Sequence, residues 1–536
     1  MRRPFFLVVL AIVLCGAAAG AQVLEHRAWQ LQSREWDVIK NEIPMAAEMG
    51  MNRIQLSHAI IMDAEELWDD FMSSWRLNFV RDLIKLSHDN DLKVDIWVHE
   101  FSGVPKKFVE DGRLVIQPDL WKWLRAKYKK VFKLIPEVDG LVLTFAETEY
   151  ELYNSETVDA GGDVLDSFLK TVDVIAGVCE ENGKTLIVRT FIHRPEELEI
   201  LQRAVHRIAV ELKHRKNIII MSKAVPHDWI PYYPYSTALG NTEGLPQIVE
   251  LDQGEEYTAM NWVLHAEVEY IKNAMDYARE KGVIGAVSRI ERYNNYAIGC
   301  PNEVNVYAFS RLLHDPSLTT GQIWNEWAVK RYGEKAAPYV ISAMRRTFDI
   351  TNIIIYPIGQ WINNHSSMSN WGYAYSHLMD YGGTTVARWI PGPYHMKNYH
   401  EAIRPDRDIF IKVSHEKDLA RKLLAESVRD LESAKPFLSG DDYGEFDYYF
   451  TLTAEALDIH EEHALAFFKT LRVVNLRGEG GSSAEIGSLK SEIAVHLETL
   501  REQGAKFGAK YPDKVFGGLP ALITLFCDSI EEELAK

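Results

Sequence analysis

Cysteine is scarce in this sequence of 536 residues, which contains only four. Cys15 lies in an N-terminal apolar stretch, whereas Cys179, Cys300 and Cys527 are widely spaced and follow no metal-ligand pattern. Three distant cysteines do not make a disulfide framework, so we expect them to be buried thiols.

Basic residues are also in short supply, since 59 Lys and Arg face 77 Asp and Glu and leave a net charge of −18. A protein with this charge repels nucleic acids and anionic membrane surfaces, so neither is expected as a partner. An acidic sugar is compatible with the charge, because its recognition needs only a few local cations. The charge therefore bears on partners and says little about the fold.

Long apolar runs are missing beyond the first 21 residues. There a basic pair at residues 2–3 precedes an apolar run from Pro4 to Cys15, and small residues at 19–21 resemble a cleavage site. The run is shorter than the roughly 20 residues that a transmembrane helix needs. We therefore expect residues 1–21 to be a signal peptide and the mature chain to be periplasmic or extracellular. Leu14 is large for lipoprotein processing, so a lipid anchor is not expected.

Short β-rich segments alternate with amphipathic helices from about residue 24. One helical pattern has its apolar residues three and four apart, from Trp36 to Ala46. The eight predicted strands are His26–Leu31, Arg53–Ser57, Lys93–His99, Gly140–Phe145, Thr185–Phe191, Asn217–Ala224, Gln247–Asp252 and Ile284–Ile290. This alternation predicts an α/β fold, a (β/α)8 TIM barrel, over residues 22–315. A doubly wound open sheet is the competing arrangement, but no glycine-rich phosphate fingerprint follows the first strand.

The strand pattern stops after Asp315-Pro316 and long helical patterns follow, one of which has apolar residues from Leu419 to Leu431. A glycine- and serine-rich stretch at 478–483 is expected to connect two of these helices flexibly. We therefore predict an all-α C-terminal domain over residues 316–536. Its expected role is to buttress the barrel or to form the surface of a homodimer.

Polar side chains follow the predicted barrel strands at their carboxyl ends, where TIM barrels carry their active sites. Acids converging from several strands are what glycosidic bond cleavage requires, since one acid protonates the leaving oxygen and another carboxylate activates water or attacks the sugar. Tryptophans beside them offer flat faces to sugar rings. The residues in question are Trp97, His99, Glu100, Glu147, Glu149, Arg189, Lys223, Asp228, Trp229, Glu255, Glu256, Arg289, Glu291 and Arg292.

Two other interpretations of these residues have to be weighed. The first is a metal site built from His99, Glu100, Glu147 and Asp228, but no pair of histidines at helical spacing accompanies them, so no metal is expected. The second is a merely solvated acidic rim on an acidic protein. Carboxylates closing three different strands beside a tryptophan and an arginine argue against it.

Two segments resemble the glycoside hydrolase family 67 α-glucuronidases. VELDQGEEYT at residues 249–258 is similar to the family's V-E-hydrophobic-x-x-x-Q-E-Y-T motif, which carries a general-base glutamate, and implies that role for Glu256. NIIIMSKAVPHD at 217–228 resembles N-V-I-L-Q-x-K-N-G-P-x-D, whose last residue is the partner base. That segment implies a second base in Asp228 and a substrate-binding lysine in Lys223.

Further segments extend the resemblance from about residue 135 to residue 390. GLVLTFAETE at 140–149 is similar to G-x-x-V-K-x-x-S-E-G and implies that Glu149 is the general acid. LIVRTF at 186–191 resembles V-I-W-R-C-F and implies that Arg189 binds the sugar. Shorter similarities occur at 285–290, 305–313, 327–333, 356–361 and 371–372. The resemblance implies an inverting, α-glucuronidase-like exo-glycosidase that acts on plant or algal polysaccharide fragments without a cofactor.

The sequence departs from the family in the parts that recognise the sugar. The family's N-terminal β-sandwich domain is missing, and Phe145 replaces a lysine that helps to hold the uronic acid, so we expect an apolar wall there. Tyr150 replaces a glycine, and ERYNNY at 291–296 replaces D-x-N-W-T-G. The expected catalytic carboxylates are kept, while the expected substrate-binding residues are Arg189, Lys223, Trp229, Glu147, Trp97, His99 and Arg292.

Two other functions compete with this hypothesis. In an N-acetylhexosaminidase-like enzyme Glu147 and Glu149 would act together, which leaves Asp228 and Glu256 without a role. A non-catalytic carbohydrate-binding barrel would have no use for an acid of raised pKa. Activity on a panel of chromogenic aryl glycosides separates the three.

Overall fold

The computed structural model describes residues 23–69, 71–152, 154–191, 198–292, 295–382, 393–511 and 518–536, so the predicted signal peptide lies outside it. Eight parallel strands close a barrel in the order of the chain. β1 pairs with both β2 and β8, which closes the ring. The strands are β1 His26–Leu31, β2 Arg53–Leu56, β3 Lys93–His99, β4 Gly140–Thr144, β5 Thr185–Thr190, β6 Ile218–Lys223, β7 Gln247–Asp252 and β8 Gly285–Arg289.

Helices cover the outside of the barrel at every crossover except one. They are α1 Trp36–Glu48, α2 Ser73–His88, α3 Pro118–Leu134, α4 Val164–Glu181, α5 Leu198–Glu211, α6 Val268–Glu280 and, after β8, α7 Glu303–His314. The connection from β6 to β7, residues 224–246, contains only turns and bends. Four prolines lie in it, and proline both lacks the amide proton of a helix and disfavours the helical conformation in the residue before it.

The barrel interior is a small core of its own. Its members, one from most of the strands, are Ala28, Trp97, Val142, Ile187, Met221, Ile248 and Val287. Successive side chains of a strand point to opposite faces, so the residues in between pack outward against the helices. The residues two positions further along each strand point inward again and line the mouth.

The C-terminal region is helical, as predicted, and the predicted fold class is confirmed. It comprises α8 Thr320–Tyr332, α9 Ala337–Arg345, α10 Thr347–Ile355, α11 Trp371–Ser376, α12 Pro393–Ala402, α13 Arg407–Ala434, α14 Gly440–Glu479, α15 Ser483–Lys510 and α16 Leu519–Ala535. It packs on the connection after β7, where the Thr351 hydroxyl donates to the Leu264 carbonyl at 2.7 Å. The domain boundary at 315/316 stays a prediction.

Two further expectations can be compared with the described residues. Cys179, Cys300 and Cys527 are buried and free, as expected. The stretch at 478–483 is a tight helix end, where Gly480 adopts a positive φ of 71° and the Gly481 amide donates to the Leu476 carbonyl at 2.7 Å. Across the described ranges, no helix combines the length and apolarity needed to cross a membrane.

Candidate active site

The mouth of the barrel is lined by charged residues, each of which stands two positions after an interior core residue on the same strand. Because side chains alternate along a strand, an inward core residue is followed two positions later by an inward residue at the mouth. In this way the sequence places Arg189 after Ile187, Lys223 after Met221, Glu250 after Ile248 and Arg289 after Val287. The predicted position of the site at the carboxyl ends of the strands follows directly from this alternation.

Arg189, expected to bind the sugar, is held by a carboxylate of the barrel itself. Its Nε donates to Glu250 Oε2 at 2.7 Å and its Nη2 to Glu250 Oε1 at 3.1 Å. The guanidinium lies 4.7 Å from the centre of the Trp97 ring and 4.8 Å from that of Phe191. Trp97 is buried below it in the barrel core, with its indole N–H donating to Gln55. The structure therefore offers no open Trp97 face to a sugar.

Lys223 is enclosed by an acid and two aromatic rings. Its Nζ donates to Asp228 Oδ1 at 2.8 Å and lies 3.7 Å from the ring centre of Phe191 and 4.0 Å from that of Trp229. The guanidinium of Arg289 lies 4.7 Å from the ring centre of Trp229. The predicted platform Trp229 is therefore buried between two cations, and burial lowers the pKa of Lys223 although Asp228 opposes the shift.

Asp228, one of the two predicted bases, is an ionised carboxylate. Burial alone would raise its pKa, but His227, Lys223 and a hydrogen bond from the Tyr257 hydroxyl hold the pKa well below its usual value. Opposite charges and donors to the charged form both favour ionisation. Its position comes from the proline-containing connection after β6, which ends the strand and turns the chain across the mouth.

Glu256, the other predicted base, is surrounded by cations. Arg289 Nη1 donates to its Oε2, Arg292 Nε donates to its Oε1 at 2.9 Å, and His365 Nε2 lies 3.3 Å from the same oxygen. Burial would raise the pKa of Glu256, but the two arginines and the histidine lower it to about 2. Both oxygens of Glu256 are therefore engaged by guanidinium donors.

Arg292 extends the site toward the start of the barrel. Its Nη1 donates to Gln32 Oε1 at 3.1 Å and lies 3.2 Å from His58 Nε2. Burial and the two neighbouring arginines lower the pKa of His58 to about 3, so its ring is neutral and can accept this bond. The predicted binding residue His99 packs beside it, with ring centres 5.6 Å apart.

The loop after β4 carries the two candidate acids, and they face different surroundings. The Glu147 carboxylate lies 3.9 Å from His99 Nε2 and interacts electrostatically with His58 and Tyr257. Glu149, the acid implied by the family resemblance, accepts a bond from the neighbouring Tyr150 hydroxyl at 3.1 Å, and both glutamates are exposed. The backbone of Glu147 has a φ of 62°, a left-handed conformation that is costly outside glycine.

The expectation of an apolar wall at Phe145 is wrong. Phe145 is buried and meets Phe168 of α4 edge-on, with ring centres 4.8 Å apart. Val142 and Thr144 take the inward positions of β4, so the next residue points outward to the helix. The position that replaces the family lysine therefore packs against the helix layer and takes no part in the mouth.

Two residues of the site, Tyr257 and His365, were not among the predicted site residues, and Arg289 was named at a strand end without a role. Period two places Arg289 inward, and Tyr257 stands in the segment 249–258 next to Glu256, so both could have been assigned to the site. His365 comes from the C-terminal helical region, where no motif or periodicity marks it. Packing brings it in, because Ser366 donates to the Glu256 carbonyl at 2.8 Å and accepts from the Ala259 amide at 2.7 Å.

The metal alternative is not supported by these positions. Glu100 points away from the mouth and bonds to Lys127 at 3.1 Å and to the Tyr128 hydroxyl. Within the part of the chain that the structure describes, no three His, Cys, Asp or Glu side chains are grouped as metal ligands would be.

A second group of carboxyls lies directly behind Glu256. Glu255 accepts bonds from the Asn261 amide at 3.1 Å and from the side chains of Asn302 at 3.2 Å and Asn305 at 2.9 Å. Burial raises its pKa well above the usual value. Burial also raises the pKa of Asp252 to about 6, against the lowering effect of Arg289, and that of Glu267 to about 8.

Comparison with known proteins gives only remote similarity. No protein-family model and no curated relative matches the chain. An O-GlcNAc hydrolase of Thermobaculum terrenum is 11% identical over 96% of this chain and 95% of that chain, with a TM-score of 0.47. CpGH84B is 11% identical over 96% of this chain and 77% of that chain, with a TM-score of 0.46. BtGH115A, a family GH115 4-O-methyl-α-glucuronidase with specificity for decorated arabinogalactans, is 10% identical over 94% of this chain and 62% of that chain, with a TM-score of 0.49. Similarities this low carry no argument about substrate or mechanism.

Proposed function

We propose that the chain is a glycoside hydrolase with its active site at the mouth of the barrel. One observation carries the proposal: two ionised carboxylates from the connections after neighbouring strands, Asp228 after β6 and Glu256 after β7, are linked through Tyr257 and His365. The Tyr257 hydroxyl helps to lower the pKa of Asp228, its ring centre lies 5.2 Å from that of His365, and His365 Nε2 lies 3.3 Å from Glu256 Oε1. Carboxylates converging at a strand-end pocket are the equipment for hydrolysing a glycosidic bond.

Within the proposal Asp228 takes the proton from the attacking water. Glu256 is less suited, because both of its oxygens accept bonds from arginines and a pKa of about 2 makes it a weak base. The low pKa of Asp228 depends on His227, Lys223 and Tyr257. A substrate group that draws Lys223 away would therefore make Asp228 a stronger base when it is needed. Glu256 positions Arg289 and Arg292 in this scheme.

The proposed general acid is a glutamate of the loop after β4. The family resemblance implies Glu149, whereas the contacts favour Glu147. The Glu147 carboxylate lies 3.9 Å from His99 Nε2, and its charge helps to raise the pKa of Tyr257. We assign the acid to Glu147. Replacing the true acid by glutamine should abolish turnover of substrates with poor leaving groups and partly spare an activated aryl glycoside, which needs little protonation. If E149Q shows this pattern and E147Q does not, the assignment passes to Glu149.

The proposed substrate is a uronic acid glycoside at the end of a plant or algal polysaccharide fragment, hydrolysed with inversion by an exported enzyme. Four cations of the mouth, Arg189, Lys223, Arg289 and Arg292, face three carboxylates, Glu250, Asp228 and Glu256. This concentration of cations suits a carboxylate ligand, which charge-assisted bonds would hold.

The first test is turnover of aryl glycosides by the purified protein. The panel contains the 4-nitrophenyl α- and β-glucuronides, a galacturonide, a glucoside and an N-acetylglucosaminide, with Asp228→Asn as the inactive control. We expect a uronide to be cleaved and the cleavage to be lost in D228N. Turnover of the N-acetylglucosaminide alone, unaffected by D228N, would replace the proposal with a hexosaminidase. Binding without any turnover would leave a carbohydrate-binding barrel.

Substitution of Lys223 tests the uronate. If Lys223 contacts the substrate carboxylate, Lys223→Met should raise KM for the uronide by roughly 10- to 100-fold, as expected for loss of a bond to a charged group. KM for the matching neutral aldoside should hardly change. Equal losses on both substrates would mean that Lys223 contacts hydroxyls, and the enzyme would then be a neutral exo-glycosidase.

A further inference from the structure

Four large apolar side chains lie exposed together beside the mouth. They are Trp36 (42% exposed), Phe71 (96%), Met72 (38%) and Trp75 (43%), and we call them the aromatic shelf. Single exposed apolar residues are common, but a contiguous group of aromatic ones marks a binding surface. They come from the first residue of α1 and from the turn that begins α2, so two separate segments contribute.

The rings of the shelf are held in place by a buried neighbour. Trp75 stacks on Phe79, with ring centres 5.0 Å apart and planes at 11°. Trp36 meets the same Phe79 edge-on at 6.3 Å. Because Phe79 of α2 is itself buried, it fixes both indoles, which stay partly open to solvent. A ligand would therefore find flat surfaces that are already ordered, at little cost in side-chain entropy.

The shelf lies on the same side of the barrel as the candidate active site. α1 and α2 both begin at the carboxyl ends of the strands that precede them, which is the side of the mouth. A cavity of ≈ 380 Å³ lies beside the candidate active site, with Gln32, Glu35 and Arg292 among its lining residues, and its lining segment 32–35 leads along the chain to Trp36. Arg292 bonds to Glu256 at the inner end, and Glu35 precedes Trp36 at the outer end.

We propose that the aromatic shelf and this cavity form a subsite for further sugar units of a polymeric carbohydrate, beyond the bond that is cleaved. A pyranose ring has an apolar face of C–H groups and an edge of hydroxyls. The shelf offers indole rings for the face, and the cavity offers amide, hydroxyl and charged groups of residues 32–35 for the edge. The inference rests on the proposed function and makes a polysaccharide, in place of a small glycoside, the natural substrate.

Affinity electrophoresis tests the subsite independently of hydrolysis. Wild type, Trp36→Ala and Trp75→Ala run in gels that contain glucuronoxylan, gum arabic or alginate. Tyr339→Ala is the matched control, since Tyr339 is also exposed (38%) and stacks on Phe437 at 6.2 Å in the helical region. We expect one of the polymers to retard the wild type, and each tryptophan variant to bind it roughly 2- to 10-fold more weakly. Melting temperatures show that the variants are folded.

The outcomes separate the subsite from the proposed activity. Unchanged kcat/KM on a small aryl glycoside, together with weaker polymer binding, supports the subsite. Retardation that survives both tryptophan substitutions, that falls equally in Y339A, or that is absent from all three gels overturns it. Co-sedimentation with phosphatidylglycerol vesicles that depends on Trp75 would assign the shelf to a lipid surface and overturn it as well. A protein that binds polymer through the shelf but cleaves no glycoside would keep the subsite and refute the hydrolase.

Discussion

Glu255 and Glu256 are neighbours in the chain and equally buried, yet their carboxyl groups have opposite pKa shifts. Burial raises the pKa of Glu255 well above the usual value, whereas two arginines and His365 bring that of Glu256 to about 2. The donors to Glu255 are a backbone amide and two asparagine side chains, which are neutral. In this pair the full positive charges around Glu256 compensate the loss of hydration, whereas the neutral donors to Glu255 do not.

The same contrast separates the two groups of carboxyls to which they belong. In front, Asp228 and Glu256 contact Lys223, Arg289 and Arg292 and are ionised. Behind, burial raises the pKa of Glu267 to about 8, while the pKa of Asp252, which lies 3.9 Å from Arg289, is intermediate at about 6. The arginines at the end of β8 therefore determine where negative charge is available for chemistry. We expect the ionised carboxylates in front to take part in catalysis and the carboxyls behind them to stabilise the local structure.

The largest effect should come from removing the charge of the front group. Asp228→Asn keeps the size of the side chain but cannot accept a proton, so kcat should fall about 100- to 10,000-fold. Glu267→Gln is the matched control, since it replaces a carboxyl that is already protonated at neutral pH, and it should keep kcat within about threefold. Steady-state kinetics on the best aryl glycoside measures both. If kcat fell equally in D228N and E267Q, the carboxyls in front and behind would not differ in their role.

Arg289 is the residue on which the division depends, so its removal should cost stability. Arg289→Met leaves the buried Glu256 carboxylate with fewer partners, and the free energy of unfolding should drop by about 3–5 kcal/mol. Arg345→Met breaks the half-exposed Arg345–Glu269 pair, 3.3 Å apart, and should cost less than about 1 kcal/mol. Urea denaturation measures both values. A loss in R289M as small as that in R345M would mean that Arg292 and His365 suffice for Glu256.

The two groups should also respond oppositely to pH. Glu256 has a folded pKa of about 2, below the usual 4.5, so its stabilising contribution is present above pH 4.5 and is lost as pH falls toward 2. Glu267 has a folded pKa of about 8, so the folded chain keeps a proton that the unfolded chain releases above 4.5. Its contribution is therefore full below pH 4.5 and declines as pH rises to 8, by up to about 1.4 kcal/mol per pH unit.

Glu267→Gln isolates this second effect, because glutamine does not titrate. The difference in unfolding free energy between E267Q and wild type should shift in favour of the variant from pH 5 to pH 8 and then level off. Urea denaturation at four pH values gives the curve. A difference that stays flat over this range would show that Glu267 is ionised in the folded protein.

Much of the fold could be predicted from hydrophobic periodicity alone. β1, β3 and β7 have the predicted bounds, and the other strands differ by one or two residues at their ends. Period two also places Phe145 outward and Arg289 inward, so the alternation along the predicted strands could have excluded the apolar wall at Phe145. The irregular connection from β6 to β7 is marked by its prolines, so the missing helix was also predictable.

The ion pairs of the site could not be predicted, because they depend on the closed shape of the barrel. Arg189 and Glu250 belong to β5 and β7, which are separated by β6 and meet only across the interior. His365 lies more than a hundred residues beyond Glu256, and the packing of the helical region on the connection after β7 brings it there. Neither contact leaves a trace in local patterning. Which residues form the site stays a prediction of the family resemblance, whereas the structure shows which of these residues pair with one another.

The smallest expected effect concerns the neutral donor in the front group. The Tyr257 hydroxyl bonds to the ionised form of Asp228 and so helps to lower its pKa. In Tyr257→Phe that pKa should rise by up to about one unit, which moves the acidic limb of the kcat/KM profile to higher pH and lowers the activity below the limb. Tyr356→Phe is the control, because its hydroxyl donates to the Tyr257 carbonyl at 2.7 Å and to no carboxylate. The limb should stay in place in Y356F. If it also stays in place in Y257F while kcat falls, Tyr257 contacts the substrate directly, and the cations alone account for the ionisation of Asp228.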